Sequence, residues 1–226
     1  MEIIKSFRKT LSMNVDKTGK LIVKAPLFTS KKTIESFIAK NKNWIEERKK
    51  QVIQKIKSYS QWEKFYFFWE EYELLTSSKT PLLEWEWNKK LVFDWMNFIV
   101  NKNSKSIAKE LFEEFYKREA RKYIKNRLEE ISAKYNLKYN KFSITSAKTR
   151  WGSCTSTKNI NFTYRLIMTP IKTIDYVIVH ELAHLKHMNH SKAFWTEVEK
   201  MMKWLFPWDY KIHKNWLKKY WDNLIF

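Results

Sequence analysis

The chain has 226 residues, 44% apolar and 17% aromatic, with 44 Lys and Arg against 24 Asp and Glu, a formal charge of +20. Twelve Trp, eleven Tyr and fifteen Phe supply far more burial than a disordered chain carries, and a lone cysteine, Cys154, excludes a disulfide scaffold. No run approaches the roughly 18 apolar residues of a membrane span, and one thiol with no sustained apolar stretch after Met1 points to a soluble protein of the reducing cytosol.

The first predicted element is a hairpin. Leu11, Met13 and Val15 alternate with polar residues, Asp16-Lys17-Thr18-Gly19 turns, and Leu21, Val23 and Ala25 alternate again until Pro26. Ser30 is the expected N-cap of one helix over about 31–56, with Ile34, Phe37, Ile38, Trp44, Ile45 and Ile53 as its apolar stripe. From Gln61 to Val100 the chain is aromatic and β-prone. Phe65–Trp69, Tyr72–Leu75, Leu82–Trp87 and Leu91–Phe93 predict two or three antiparallel strands.

Asn101–Ser104 is the expected boundary between an N-terminal β-rich region, 1–103, and a C-terminal domain, 104–226. Ser104 is read as the cap of a long helix through about Lys134. Its buried face is Ile107, Leu111, Phe115, Ala120, Tyr123, Ile124, Leu128 and Ile131, and Asn136 ends it in the left-handed conformation. Phe142–Ile144 and Ile160–Tyr164 read as short strands around Arg150-Trp151-Gly152-Ser153-Cys154. The predicted class is α+β.

Thr169-Pro170 opens the next helix, which carries His180-Glu181-Leu182-Ala183-His184. Two histidines four residues apart stand one above the other on a helix face, so both rings can converge on one ion. Glu181 is placed beside that ion, where it can take a proton from an acidified water. A chain of this composition produces the pattern by chance about once in a hundred cases. A catalytic zinc needs a third protein ligand and an open position. His190 serves if the helix breaks at Met188-Asn189. Glu197, Glu199 and His187 are the alternatives, His187 being poorly placed about 10.5 Å up the helix from His180. The spacing His180–His184–His190 equals that of metzincins, but His187 stands where their turn glycine would be.

Three segments then carry a resemblance. Arg150–Cys154, Asp175–His184 and Asn189-His190-Ser191-Lys192-Ala193-Phe194-Trp195 are similar to the YgjP-like metallopeptidase-domain family, bacterial zincins related to the SprT and WLM groups. The similarity is dense over 104–226 and looser over 1–60. It is weakest over 61–103, where glycines expected in the β-region are missing. It implies a zinc-dependent hydrolase binding one Zn2+ per chain, with His180, His184 and His190 as ligands and Glu181 as catalytic base. The substrate, peptide or nucleotide, does not follow from it.

The remaining candidates are weaker. Arg150, Gly152 and Arg165 are possible substrate-binding residues, and Arg165, Tyr210 and His213 are candidates for stabilising an oxyanion. The strand at Ile160–Tyr164 is the expected edge for pairing with an extended substrate. Asp175 orients a ligand ring or complements the helix N-terminus, and Cys154 reads as a small buried residue. The basic charge comes from 37 Lys against seven Arg spread along the chain, which fits compositional bias better than a nucleic-acid reader. A zincin recruited to nucleic acid through that surface is the alternative.

Overall fold

A computed structural model describes residues 1–16, 18–55, 57–77, 90–205 and 210–224. They form a mixed α+β protein with three small sheets and six α-helices among the described residues. The chain divides into two compact units, Met1–Lys57 and the chain from Ser58 onward. No helix among the described residues is long and apolar enough to cross a membrane.

The first unit builds a sheet of β1 (Glu2–Ser6), β2 (Ser12–Val15) and β3 (Leu21–Pro26) in the order β1-β3-β2. The predicted hairpin is β2–β3, and β1 adds a parallel strand on the far side of β3. Asp16 closes the turn by accepting from the Thr18 and Lys20 amides at 2.8 and 2.9 Å, and Gly19 takes φ 82°. Val15, Leu21, Val23, Ala25, Ile34 and Ile45 form the core.

The single helix expected over 31–56 is two helices, α1 (Lys31–Lys40) and α2 (Lys42–Lys55). Ser30 does cap the first, accepting from the Thr33 amide at 3.1 Å. Asn41 divides them. Its side chain donates to Phe37 O at 2.8 Å and its amide to Ile38 O at 3.1 Å, so local hydrogen bonds replace a helical turn. Beyond the break the expected stripe fails at Trp44, which is 43% exposed. Ile53 and Ile56 have side chains outside the described ones.

The second unit starts with a four-stranded sheet, β4 (Lys64–Phe67), β5 (Glu70–Ser77), β6 (Leu91–Phe93) and β7 (Asn97–Asn101), in the order β4-β5-β7-β6. The antiparallel expectation is corrected at its centre, because β5 and β7 pair in parallel. The strand expected at Leu82–Trp87 lies outside the described residues. The missing glycines have a local explanation. Phe68 and Trp69, with φ 51° and 70°, make the β4–β5 turn themselves, anchored by amides donating to Ile167 O and Met168 O at 2.8 and 3.2 Å. Ring contacts compensate the backbone cost: Phe68 meets Tyr123 and Trp69 meets Trp216.

This sheet packs on α3 (Ala108–Lys134) through Phe65, Phe98, Phe112 and Phe115, with Phe65 stacked on Phe112 at 4.0 Å. The compact division therefore falls at Lys57/Ser58, upstream of the boundary placed at 103/104 on motif content. Entry to α3 is a 3-10 turn, Lys102–Ile107, capped by Asn101 rather than by Ser104. In the first turns Ala108, Phe112 and Tyr116 are buried in place of Ile107 and Leu111, while Phe115, Ala120, Ile124, Leu128 and Ile131 are buried as predicted and Tyr123 is half-buried. Asn136, at φ 50°, follows the helix end.

The last sheet joins β8 (Lys141–Thr145), β9 (Gly152–Cys154) and β10 (Asn159–Thr163) in the order β8-β10-β9. Three helices follow, α4 (Ile171–Ala183), α5 (Lys192–Leu205) and α6 (Tyr210–Tyr220). Pro170 itself is the N-cap of α4, since the Thr169 hydroxyl turns back to donate to Leu166 O at 2.8 Å. Buried Asp175 is held by a two-pronged pair from Arg127 of α3, Nε to Oδ1 at 2.8 Å and Nη2 to Oδ2 at 3.1 Å. That contact locks α4 to α3 and replaces both roles expected for Asp175.

Candidate metal centre

The buried helix α4 carries Ile174, Val177, Ile178 and Leu182 into the core and puts His180 at its opposite end of polarity, on the side facing α5. The helix ends earlier than the expected break at Met188-Asn189: His184 is already its C-cap, and tight turns carry the chain through Leu185–His187. That early exit brings His190 back. His180 Nε2 and His190 Nε2 stand 3.1 Å apart, and one ligand atom from each of His180, His184 and His190 lies within 4.8 Å of the others. Among the described residues this is the group of three that could hold a metal ion.

The first residues of α5 support the rings. Phe194, fully buried, lies 4.9, 4.5 and 4.7 Å from the His180, His184 and His190 ring centroids. All three imidazoles thus rest against one phenyl ring. Trp195 adds a second wall, 5.8 Å from His180 and 5.7 Å from His190, and is stacked on the latter. His184 Nδ1 meets His187 O at 3.1 Å, which fixes its ring and leaves Nε2 for the cluster. His187 therefore serves through its backbone. Glu197 and Glu199, the rival third ligands, are paired with Lys186 and Lys203 at 2.8 and 3.0 Å.

The donor set fits zinc. Two ring nitrogens with facing lone pairs at 3.1 Å repel unless a proton or a cation lies between them. Bond lengths of about 2.0–2.1 Å at a tetrahedral ion put ligand nitrogens roughly 3.3 Å apart. Burial, the neighbouring imidazoles and the Lys214 charge press His180 down to about 3, and burial lowers His184, so both are neutral and ligand-competent at pH 7.

Glu181, the residue after His180 on α4, is buried, and burial pushes its carboxyl up to about 8. Its Oε2 has no hydrogen-bond partner among the described residues. Against its other face lies Gly152 of the edge strand β9, where an added Cβ would fall 2.6 Å from Oε1. The second glycine of the chain is thus required by close approach to a carboxylate. Cys154, two residues on, is half-buried rather than buried. Burial and the Glu181 charge raise its thiol to about 11, which keeps it protonated and inert.

The other expected residues are dispersed. Arg165 is 2% exposed, lies over the Tyr164 ring at 4.3 Å and donates to Ser146 O and Ala147 O at 3.0 and 3.4 Å, so it secures a loop. Arg150 is exposed just ahead of β9. His213 is buried, with Nδ1 3.3 Å from the Thr173 hydroxyl, and Tyr210 stacks on Trp195 and Tyr176. The strand expected as a substrate edge, β10, is the central strand, paired with β8 and β9, and the edge beside α4 is β9. Sequence reasoning missed the Phe194 platform and the His187 carbonyl. Phe194 lies in a segment that carries the family resemblance, but an aromatic there does not by itself say that it meets three rings, and a backbone carbonyl has no sequence signal.

Comparisons with curated proteins and with solved structures found no match. A family model described as YgjP-like, metallopeptidase domain matches residues 9–220. That match spans both compact units and includes the three clustered histidines together with Glu181 and Gly152, so the chain belongs to the YgjP-like metallopeptidase-domain family of metal-dependent hydrolases.

Proposed function

We propose that this protein is a zinc-dependent, peptidase-like hydrolase in which His180, His184 and His190 hold one ion and Glu181 is the general base. The observation that carries the reading is the convergence of three imidazoles on the helix end that also carries a buried carboxylate with one unpartnered oxygen. Zinc at such a site supplies Lewis acidity, polarising a scissile carbonyl and lowering the pKa of a coordinated water towards about 7. A divalent cation beside Glu181 would favour its carboxylate form against the rise to about 8 that burial alone causes, and in that form Glu181 accepts the proton of the attacking water on Oε2 and returns it to the leaving nitrogen. Gly152 keeps the space in which that carboxylate stands. Phe194 holds the three rings in register, which conserves the geometry between turnovers.

An extended peptide pairs with the open side of β9, placing its carbonyl next to Glu181. The residues that do chemistry all fall within 104–226, which we read as the hydrolase domain. The aromatic sheet before it is part of the same compact unit and stiffens α3. The test is metal analysis with turnover on a peptide panel, using Glu181→Gln. That variant should keep about one zinc per chain and lose about 10²–10⁴-fold in kcat. Loss of zinc together with activity would make Glu181 structural.

A further inference from the structure

The histidine cluster has a cationic neighbour that the reaction above does not use. Lys214 of α6 reaches over Trp195, with Nζ 4.0 Å from the ring centroid, and the same indole walls His180 and His190. Tyr210, one turn earlier on α6, stacks on Trp195 at 5.3 Å and 11°, and on Tyr176 at 6.2 Å and 10°. This stack fixes the indole that carries the lysine. Lys214 is half-buried, and no carboxylate among the described residues pairs with it, whereas Lys186 on the opposite flank is neutralised by Glu197 at 2.8 Å. A half-buried ammonium with no carboxylate partner among the described residues, in a chain of charge +20, is stabilised when an anion arrives.

We propose that Lys214 is a substrate-binding residue that takes an anionic group, a carboxylate or a phosphate, carried by the substrate beside its scissile bond. Trp195 carries the ammonium on the same indole that walls His180 and His190, so a substrate that is seated at the histidines and extends over Trp195 meets it. The inference rests on the hydrolase reading, but its test reads binding without metal, and either one can fail alone.

Metal-free protein is titrated calorimetrically with acetyl-Ala-Glu-Glu-Ala-amide against its Gln-Gln counterpart, and with adenosine triphosphate against adenosine. The charged member of at least one couple should bind more tightly, and Lys214→Met should reduce that preference about tenfold. Lys214→Arg should retain it. Lys122→Met, which removes the same charge from an exposed site on α3, should leave it unchanged. A preference confined to the Glu peptide identifies a carboxylate subsite, and one confined to the triphosphate identifies a phosphate subsite. The ε-methylene resonance of Lys214 in wild-type protein should move as the preferred probe binds, which decides the matter even if Lys214→Met does not fold. Equal losses for charged and uncharged members, equal losses in Lys122→Met, or a still Lys214 resonance would each overturn the proposal.

Discussion

Two aromatic regions of the second unit use the same residue types to opposite ends. Between the β4–β7 sheet and α3, Phe65, Phe98, Phe112 and Phe115 pack against one another, and the gain is burial of apolar surface. At the start of α5, Phe194 and Trp195 pack against imidazoles and carry a lysine, so the same kind of ring holds polar groups in a partly desolvated place. The titrations differ in consequence: burial in the first region raises Tyr59 and Tyr116, which stay protonated at neutral pH all the same, whereas at the second His180 falls to about 3 and the adjoining Glu181 rises to about 8. Aromatic packing alone makes stability; aromatic packing under titratable groups makes chemistry possible.

The largest effect expected from breaking this contrast is on the first region. Phe112→Ala removes a fully buried ring and should cost about 3–5 kcal/mol in unfolding free energy, with zinc stoichiometry of the folded fraction unchanged. If zinc is lost from protein that remains folded, the two regions are not separable.

Arg127→Met tests the strut between them, since Arg127 on α3 neutralises Asp175 on the helix that carries His180 and Glu181. Leaving that carboxylate buried and unpaired should cost about 3–5 kcal/mol at neutral pH. Burial already raises the Asp175 carboxyl, opposed by Arg127. Without the guanidinium it rises further, and a raised carboxyl contributes stability that is present at low pH and lost as pH climbs through its folded value. The deficit against wild type should therefore widen between about pH 4 and 7 in denaturant titrations. A flat difference would mean that Asp175 is not charged in the folded protein.

Gly152→Ala is the sharper probe of the site. Its methyl would fall on the Glu181 carboxylate, and a displaced base should lower kcat about tenfold or more while zinc binding persists. Unchanged kcat would show that Glu181 has room to move. The smallest effect belongs to His187→Ala. Because His184 is oriented by the His187 carbonyl, the substitution should leave zinc affinity within about twofold, whereas a His187 ring that acted as a ligand would lower it 10–100-fold. Competition with a chelator of known affinity distinguishes these outcomes.

That His180 and His184 face the same way was legible in the sequence because a helix imposes a fixed angular spacing on positions 180 and 184. Likewise the β2–β3 alternation, the Ser30 cap and the later turns of α3 follow from periodicity within one segment. What needed the folded molecule was everything that joins distant segments. Gly152 meets Glu181 across 29 positions of chain, Arg127 reaches Asp175 across 48, and β10 lies inside its sheet because β8 pairs with it in parallel. The same holds for His190, whose place depended on where α4 stopped, and for Lys214, which looked like any other lysine until α6 laid it over Trp195. Local pattern is written in backbone geometry, which every short peptide shares. Meetings between segments are set by packing of the whole core, to which each residue contributes only a small part of the energy.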